Sequence, residues 1–134
     1  MLQNKPDHTA KIVIMGNSSV GKTHLTSAIC SLSPHNIAST VGTDIFKLPI
    51  TTHNNERIML HFWDTAGQER YRNISNIYMK GVDAVIFVYS LDDAGSYQGI
   101  KTWLKQLDVV NTKSVVIAVV GNKLDLNEGY VCRK

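Results

Sequence analysis

The segment that decides the fold is Lys11-Ile-Val-Ile-Met-Gly-Asn-Ser-Ser-Val-Gly-Lys-Thr23. It joins a short apolar run, Lys11 to Met15, to a helix-compatible stretch, Lys22 to Leu32. The loop between them has the spacing G-x-x-x-x-G-K-[ST]. Here that spacing is filled by Gly16, Asn17, Ser18, Ser19, Val20, Gly21, Lys22 and Thr23. Glycines let the backbone turn sharply and bring its N–H groups close to phosphate oxygens, and the N-terminal end of the next helix adds a positive field. Lys22 can reach the β- and γ-phosphates, and the Thr23 hydroxyl can bind magnesium. A tight strand-to-helix turn would use the same glycines, but the strand before and the helix after favour the phosphate reading. The loop alone does not separate ATP from GTP, or a kinase from a switch.

Outward from this loop the chain alternates between strand-like and helix-like segments. Thr43 to Thr51 reads as a strand in which Phe46, Leu48 and Ile50 alternate with other residues. A polar turn, His53-Asn54-Asn55, leads into Arg57 to Trp63, where Ile58, Leu60 and Phe62 alternate again, so the pair predicts a hairpin. Ala84 to Val88 and Val115 to Val120 are continuous apolar runs, the pattern of strands buried on both faces of a largely parallel sheet. Between them Ile100, Trp103, Leu104 and Leu107 recur at helical spacing, with Lys101, Lys105 and Asp108 on the other side. That stripe predicts core packing against the sheet. The expectation is a three-layer α/β fold with a mostly parallel sheet and helices on both faces, a single domain over residues 1–134.

Composition narrows the class. The chain is 43% hydrophobic and 19% charged, with no apolar run near the length of a membrane span. The net charge is +3 and the basic residues are scattered, so there is no nucleic-acid footprint. Cys30 and Cys132 match no metal spacing and suggest no disulfide framework, which makes a reducing, cytoplasmic compartment the expectation. Lys5, Asp7, His8 and Lys11 interrupt the N-terminus, and no secretory signal is visible there. Asn17-Ser18-Ser19 and Asn73-Ile74-Ser75 fit the glycosylation pattern by chance.

Two later segments choose among the uses of a phosphate loop. Asp64-Thr-Ala-Gly-Gln68 follows directly on the second hairpin strand. A carboxylate at Asp64 can hold magnesium through water, and Gly67 can offer the γ-phosphate an unobstructed N–H. The Gln68 amide is too weak a base to act alone but can orient a water for in-line attack. A strand-end cap would also use an aspartate, but not the Ala66-Gly67-Gln68-Glu69 that follows it here. Asn122-Lys123-Leu124-Asp125 comes after the most apolar strand. The Asp125 carboxylate can accept from the N1–H and 2-amino groups of guanine, a pairing adenine cannot match.

With these residues in view the chain resembles the Ras superfamily of small GTPases, and most closely its Rab branch. Trp63-Asp-Thr-Ala-Gly-Gln-Glu-Arg-Tyr71 and Tyr78-Met-Lys-Gly81 look like the Rab second switch and the segment after it, and Ser39-Thr40-Val41-Gly42 looks like the first switch. The resemblance spans roughly residues 10 to 127. It implies a P-loop NTPase fold and a regulator of vesicle traffic that cycles between GTP and GDP forms with magnesium. It also implies exchange factors, GTPase-activating proteins and effectors as partners. Thr40 would close over magnesium when the γ-phosphate is present, joining Thr23 and Asp64 at the metal. Asn122, Lys123 and Asp125 would hold the base. The assigned roles are those of small-GTPase phosphoryl transfer in general. In Rabs a Phe, a Trp and a Tyr form an exposed effector-binding set. Trp63 and Tyr78 match two of them, while Ile45 stands where the Phe is expected. Either effector recognition is altered, or the strand slips by one residue and Phe46 substitutes.

The pattern breaks in two places. Ser33 stands where the family places an aromatic that stacks on guanine. Losing that stacking weakens binding by about 1–3 kcal/mol, a factor of roughly 5 to 150, and implies faster nucleotide release. The sequence also stops at Lys134, before the family's last strand, its Ser-Ala-Lys-type loop and its C-terminal helix. Cys132 before Arg133-Lys134 fits no prenylation signal, so no lipid anchor is expected within these residues; a longer, prenylated form would sit peripherally on endomembranes. Without a covering helix the chain is expected to be marginally stable. A second reading is therefore a non-catalytic interaction module that sequesters effectors or regulators of full-length relatives. A P-loop kinase or ATPase is disfavoured by Asn122 to Asp125. Gln68→Leu is expected to cut GAP-stimulated GTP hydrolysis steeply while leaving nucleotide affinity nearly intact. Single-turnover hydrolysis alongside equilibrium binding checks this, and equal loss of both contradicts the role given to Gln68.

Overall fold

The computed structural model describes residues 5–30, 44–65, 79–109 and 114–126. Strand β1 (His8–Met15) begins exposed and ends fully buried, with Val13, Ile14 and Met15 at 0–1% exposure. Such continuous apolar sequence fits a central strand, and β1 is hydrogen-bonded on both sides. Along one edge it runs parallel to β3 (Arg57–Asp64), with Ile14 opposite Asp64. Along the other it runs parallel to β4 (Ala84–Ser90). β2 (Asp44–Thr51) and β5 (Val116–Asn122) complete a five-stranded sheet in the order β2-β3-β1-β4-β5.

The predicted hairpin is present. β2 and β3 are antiparallel, and the connection closes through Thr52 N–H to the Glu56 carbonyl and Asn55 N–H to the Thr52 carbonyl, both 2.9 Å. Asn55 takes a left-handed φ of 62°, a conformation asparagine tolerates better than most residues. The register answers the question left open at Ile45. Ile45 lies directly opposite Trp63, and Phe46 lies opposite Phe62. Phe46 packs toward the cluster of Ile14, Val20, Phe62 and Val88, whereas Trp63 packs against the cluster on the other face. Side chains alternate along a strand, so Phe46 does not substitute beside Trp63. Ile45, at 44% exposure, is the residue on that face.

Helix α1 (Lys22–Ile29) covers one side of the sheet, contributing Leu25, with Cys30 beside it, to the Ile14–Val88 cluster. Helix α2 (Ala94–Val109) covers the other. Its Ile100, Trp103 and Leu107 are buried with Val13, Met15, Val85 and Phe87, while Lys101 and Lys105 face solvent. The helical stripe read from the sequence is therefore core, as expected, and the three-layer α/β arrangement with a mostly parallel sheet holds. Among the described residues no helix is long and apolar enough to cross a membrane.

One expectation is corrected. β5 is not buried on both faces: Val116, Ile117 and Val119 are 66%, 49% and 52% exposed. Among the described residues the strand lies at the edge of the sheet and pairs only with β4. An apolar run reads the same whether its neighbours are present or not. Exposed apolar edge strands invite self-association. The 134-residue chain is accordingly expected to bind 8-anilinonaphthalene sulfonate and to melt over a broad range. Val116→Lys should reduce dye binding and light scattering with little change in the melting midpoint. A sharp transition with no dye binding in the parent chain would contradict this.

Candidate functional site

The segments singled out in the sequence that lie among the described residues meet outside the C-terminal ends of the parallel strands. β1 delivers the loop Gly16 to Gly21, β3 ends at Asp64, and β5 ends at Asn122. In open parallel sheets this edge is where ligands bind, because loops of successive strands converge there above the N-termini of the helices.

The loop is closed by its own lysine. Lys22 is 4% exposed, and its Nζ donates to the carbonyls of Gly16 at 3.0 Å and Asn17 at 2.8 Å. The positively charged head thus sits within the curl of the loop that leads into α1. Ser18 and Ser19 are exposed at the loop's tip, and Ser19 holds a left-handed φ of 65°. Val20 is buried against the α1 face of the sheet and anchors the loop from beneath.

The Asn122–Asp125 segment braces the loop through its first two residues. Asn122 Nδ2 donates to the Val20 carbonyl at 2.9 Å, and Lys123 Nζ donates to the Ser19 carbonyl at 2.6 Å. Gly21 explains how the two segments come so close. Its φ is 96°, and a Cβ there would lie 2.4 Å from Asn122 Nδ2. Asp125 sits in a 3-10 turn, Leu124–Leu126, with its side chain exposed. Leu91 N–H donates to the Asn122 carbonyl at 2.9 Å, which ties the end of β5 to the loop after β4. In that loop the Ser90 hydroxyl donates to the Asp92 carboxylate and holds its pKa below the usual carboxylate value, with a smaller electrostatic share from Lys123.

Thr23 and Asp64 also meet. Thr23 Oγ1 donates to Asp64 Oδ2 at 2.5 Å, and Asp64 is 2% exposed. The next residue, Thr65, donates from Oγ1 to the Ile14 carbonyl at 2.7 Å and pins the end of β3 to β1. A hydroxyl and a carboxylate side by side are hard oxygen donors of the kind magnesium takes. Among the described residues no group of three or more His, Cys, Asp or Glu could hold a metal by itself. A site with two protein oxygens beside a phosphate loop fits an ion that takes its remaining ligands from phosphates and water.

Of the residues singled out in the sequence, Gly16, Asn17, Ser18, Ser19, Val20, Gly21, Lys22, Thr23, Asp64, Asn122, Lys123 and Asp125 are gathered at this edge. Thr40, Gly67 and Gln68 lie outside the described residues, as do Ser33, Tyr71 and Tyr78. Sequence reasoning missed the bracing role of Asn122 and Lys123, which were expected only at the base. It also missed the Ser90–Ser96 turn, in which Ser96 Oγ accepts from Ser90 N–H at 2.9 Å and donates to the Asp93 carbonyl at 2.7 Å. The signal for that turn was the polar run Ser90-Leu-Asp-Asp-Ala-Gly-Ser96 directly after an apolar strand.

Comparison with known proteins gives a family. The model of the Ras family matches residues 11–134. The GTP-binding protein YPT1 of Saccharomyces cerevisiae is 37% identical over 131 residues, covering 97% of this chain and 63% of the relative. The Ras-related protein Rab-3 of Caenorhabditis elegans is 37% identical over 126 residues, covering 93% of this chain and 57% of the relative. The human Ras-related protein Rab-3A is 39% identical over 127 residues, with the same two coverages of 93% and 57%. The chain thus spans 57–63% of the length of these relatives.

Because Gly21 combines a left-handed φ with a close approach to Asn122, Gly21→Ala is expected to cost about 1–3 kcal/mol of stability from backbone strain, before any displacement of Asn122. Denaturant titration of parent and variant checks this. An unchanged midpoint would mean that the loop and the Asn122 segment are not held together as described.

Proposed function

This chain belongs to the Ras family of small GTPases, on its Rab branch, and we propose that it binds GTP and GDP with magnesium as a switch in vesicle traffic. The observation that carries the reading is the convergence of Lys22, the Thr23–Asp64 oxygen pair and the Asn122–Asp125 segment on one loop. Each answers a different part of a guanine nucleotide.

Lys22, held at the loop by two carbonyls, would reach the β- and γ-phosphates from there. N–H groups of the loop and the start of α1 complete an anion cradle. Thr23 and Asp64 would hold magnesium together with Thr40. When bound, the ion neutralises charge on the phosphate oxygens and fixes their orientation. Asp125 selects the base, since its exposed carboxylate pairs with the N1–H and 2-amino donors of guanine. Gln68, in the segment that follows Asp64, orients the attacking water, with Gly67 beside the γ-phosphate. No arginine is evidently placed in the sequence to act in cis, so intrinsic hydrolysis is slow and a GTPase-activating partner supplies the missing charge. Contacts to the γ-phosphate order the loops around Thr40 and Gln68, and hydrolysis releases them, which is the basis of switching. Exchange factors and effectors read those loops and the Ile45–Trp63 face in the cytoplasm.

Isothermal titration with GDP, GTP and ATP, each with and without magnesium, tests the reading. Binding of both guanine nucleotides, strengthened by magnesium, is expected, and ATP binding in their place would sink it. Asp125→Asn replaces an acceptor by a group that also donates. It is expected to weaken GDP binding at least about a hundredfold, since a base-pairing donor is left unmatched, and to gain affinity for xanthosine diphosphate, whose C2 oxygen accepts.

A further inference from the structure

Asn17 connects the phosphate loop to the helix on the far side of the sheet. Trp103, at 7% exposure in α2, donates from Nε1 to Asn17 Oδ1 at 3.2 Å. Gly99 lies one turn earlier on the same face of α2. A Cβ at Gly99 would lie 2.6 Å from Asn17 Oδ1 and 3.0 Å from Nδ2. The Asn17 amide therefore occupies a notch left by the missing side chain, with an indole N–H as its donor. On its main chain, the carbonyl of the same residue accepts from Lys22 Nζ at 2.8 Å. One residue thus links the body of α2 to the cation of the phosphate site.

We propose that Trp103 and Gly99 are positioning residues for the phosphate loop, acting through Asn17 on Lys22. The inference rests on the reading of Gly16 to Thr23 as the phosphate site and extends it to residues that touch no nucleotide. Bulk packing does not account for the pair. Filling a core needs an apolar surface at position 103, which phenylalanine also supplies; it does not need an N–H directed at a loop 86 residues away in sequence. Nor does packing need a glycine within a helix, where it costs about 0.5–1 kcal/mol relative to alanine. Both features are explained if the Asn17 side chain must be held where α2 would otherwise collide with it. When the bond is lost, Asn17 is free to rotate, its carbonyl is no longer fixed, and Lys22 loses one of the two loop carbonyls that set its direction.

The test is the release rate of a fluorescent N-methylanthraniloyl GDP from the magnesium-loaded chain, chased with excess GDP, together with the melting temperature of each variant. Trp103→Phe and Gly99→Ala are each expected to speed release by about 3- to 10-fold, the range set by one net hydrogen bond. Leu107→Ala, a buried residue of the same helix with no bond to the loop, is expected to lower the melting temperature at least as much without speeding release. The double variant Asn17→Ala/Trp103→Phe should release no faster than Asn17→Ala alone, since both remove the same link. Wild-type release rates in both Trp103→Phe and Gly99→Ala would overturn the proposal. So would Leu107→Ala speeding release as much as Trp103→Phe, because α2 would then act only through stability. Failure of the parent chain to bind the GDP analogue at all would instead overturn the nucleotide reading on which this one rests.

Discussion

Lys22 is 4% exposed beneath the loop that precedes it, with its ammonium donating to the Gly16 and Asn17 carbonyls. A buried ammonium is tolerated only when its donors are matched, and here the backbone that matches them is a loop outside helix and strand. The loop must therefore be held from outside. Val20 anchors it in the core, Asn122 and Lys123 take its later carbonyls, and Trp103 takes the side chain of Asn17. Two elements distant in sequence, α2 and the end of β5, are recruited to keep one curl of backbone in shape. The close approaches at Gly21 and Gly99 are what that bracing requires sterically.

The same arrangement places opposite chemistries side by side. On one flank of Lys22 lie Thr23 and the buried carboxylate of Asp64, which can balance a cation. On the other, Asp125 presents an exposed carboxylate suited to neutral donors. The parallel strands β1, β3 and β5 end on the same edge of the sheet, so the separation between these groups is set by strand spacing rather than by loop conformation. The guanine nucleotide proposed as ligand carries one group for each, an anionic tail and a base with two donors.

The parts of this that are local in the chain were legible in the sequence. The spacing from Gly16 to Thr23 carries its own chemistry, and the alternation of Phe46, Leu48 and Ile50 with Ile58, Leu60 and Phe62 predicts the hairpin. The stripe of Ile100, Trp103 and Leu107 likewise predicts its helix. What was not legible depends on neighbours. The apolar run of β5 is the same whether another strand flanks it or not, so its exposure could not be read from composition. Whether Ile45 or Phe46 stands beside Trp63 needed the register of β2 on β3. The Asn17–Trp103 and Lys123–Ser19 bonds join residues 86 and 104 positions apart, and no pattern along the chain announces them.

Those long separations bear on how the protein is made. A chain synthesised from its N-terminus presents β1 and the phosphate loop first. The lysine and asparagine that brace the loop arrive only with β5, after 102–104 further residues. Until then the loop has at most the support of Trp103, and the Asn122–Asp125 segment proposed to hold the base has not been made. If the proposed nucleotide site is real in function, guanine nucleotide would stabilise only a chain whose β5 has already emerged and paired with β4.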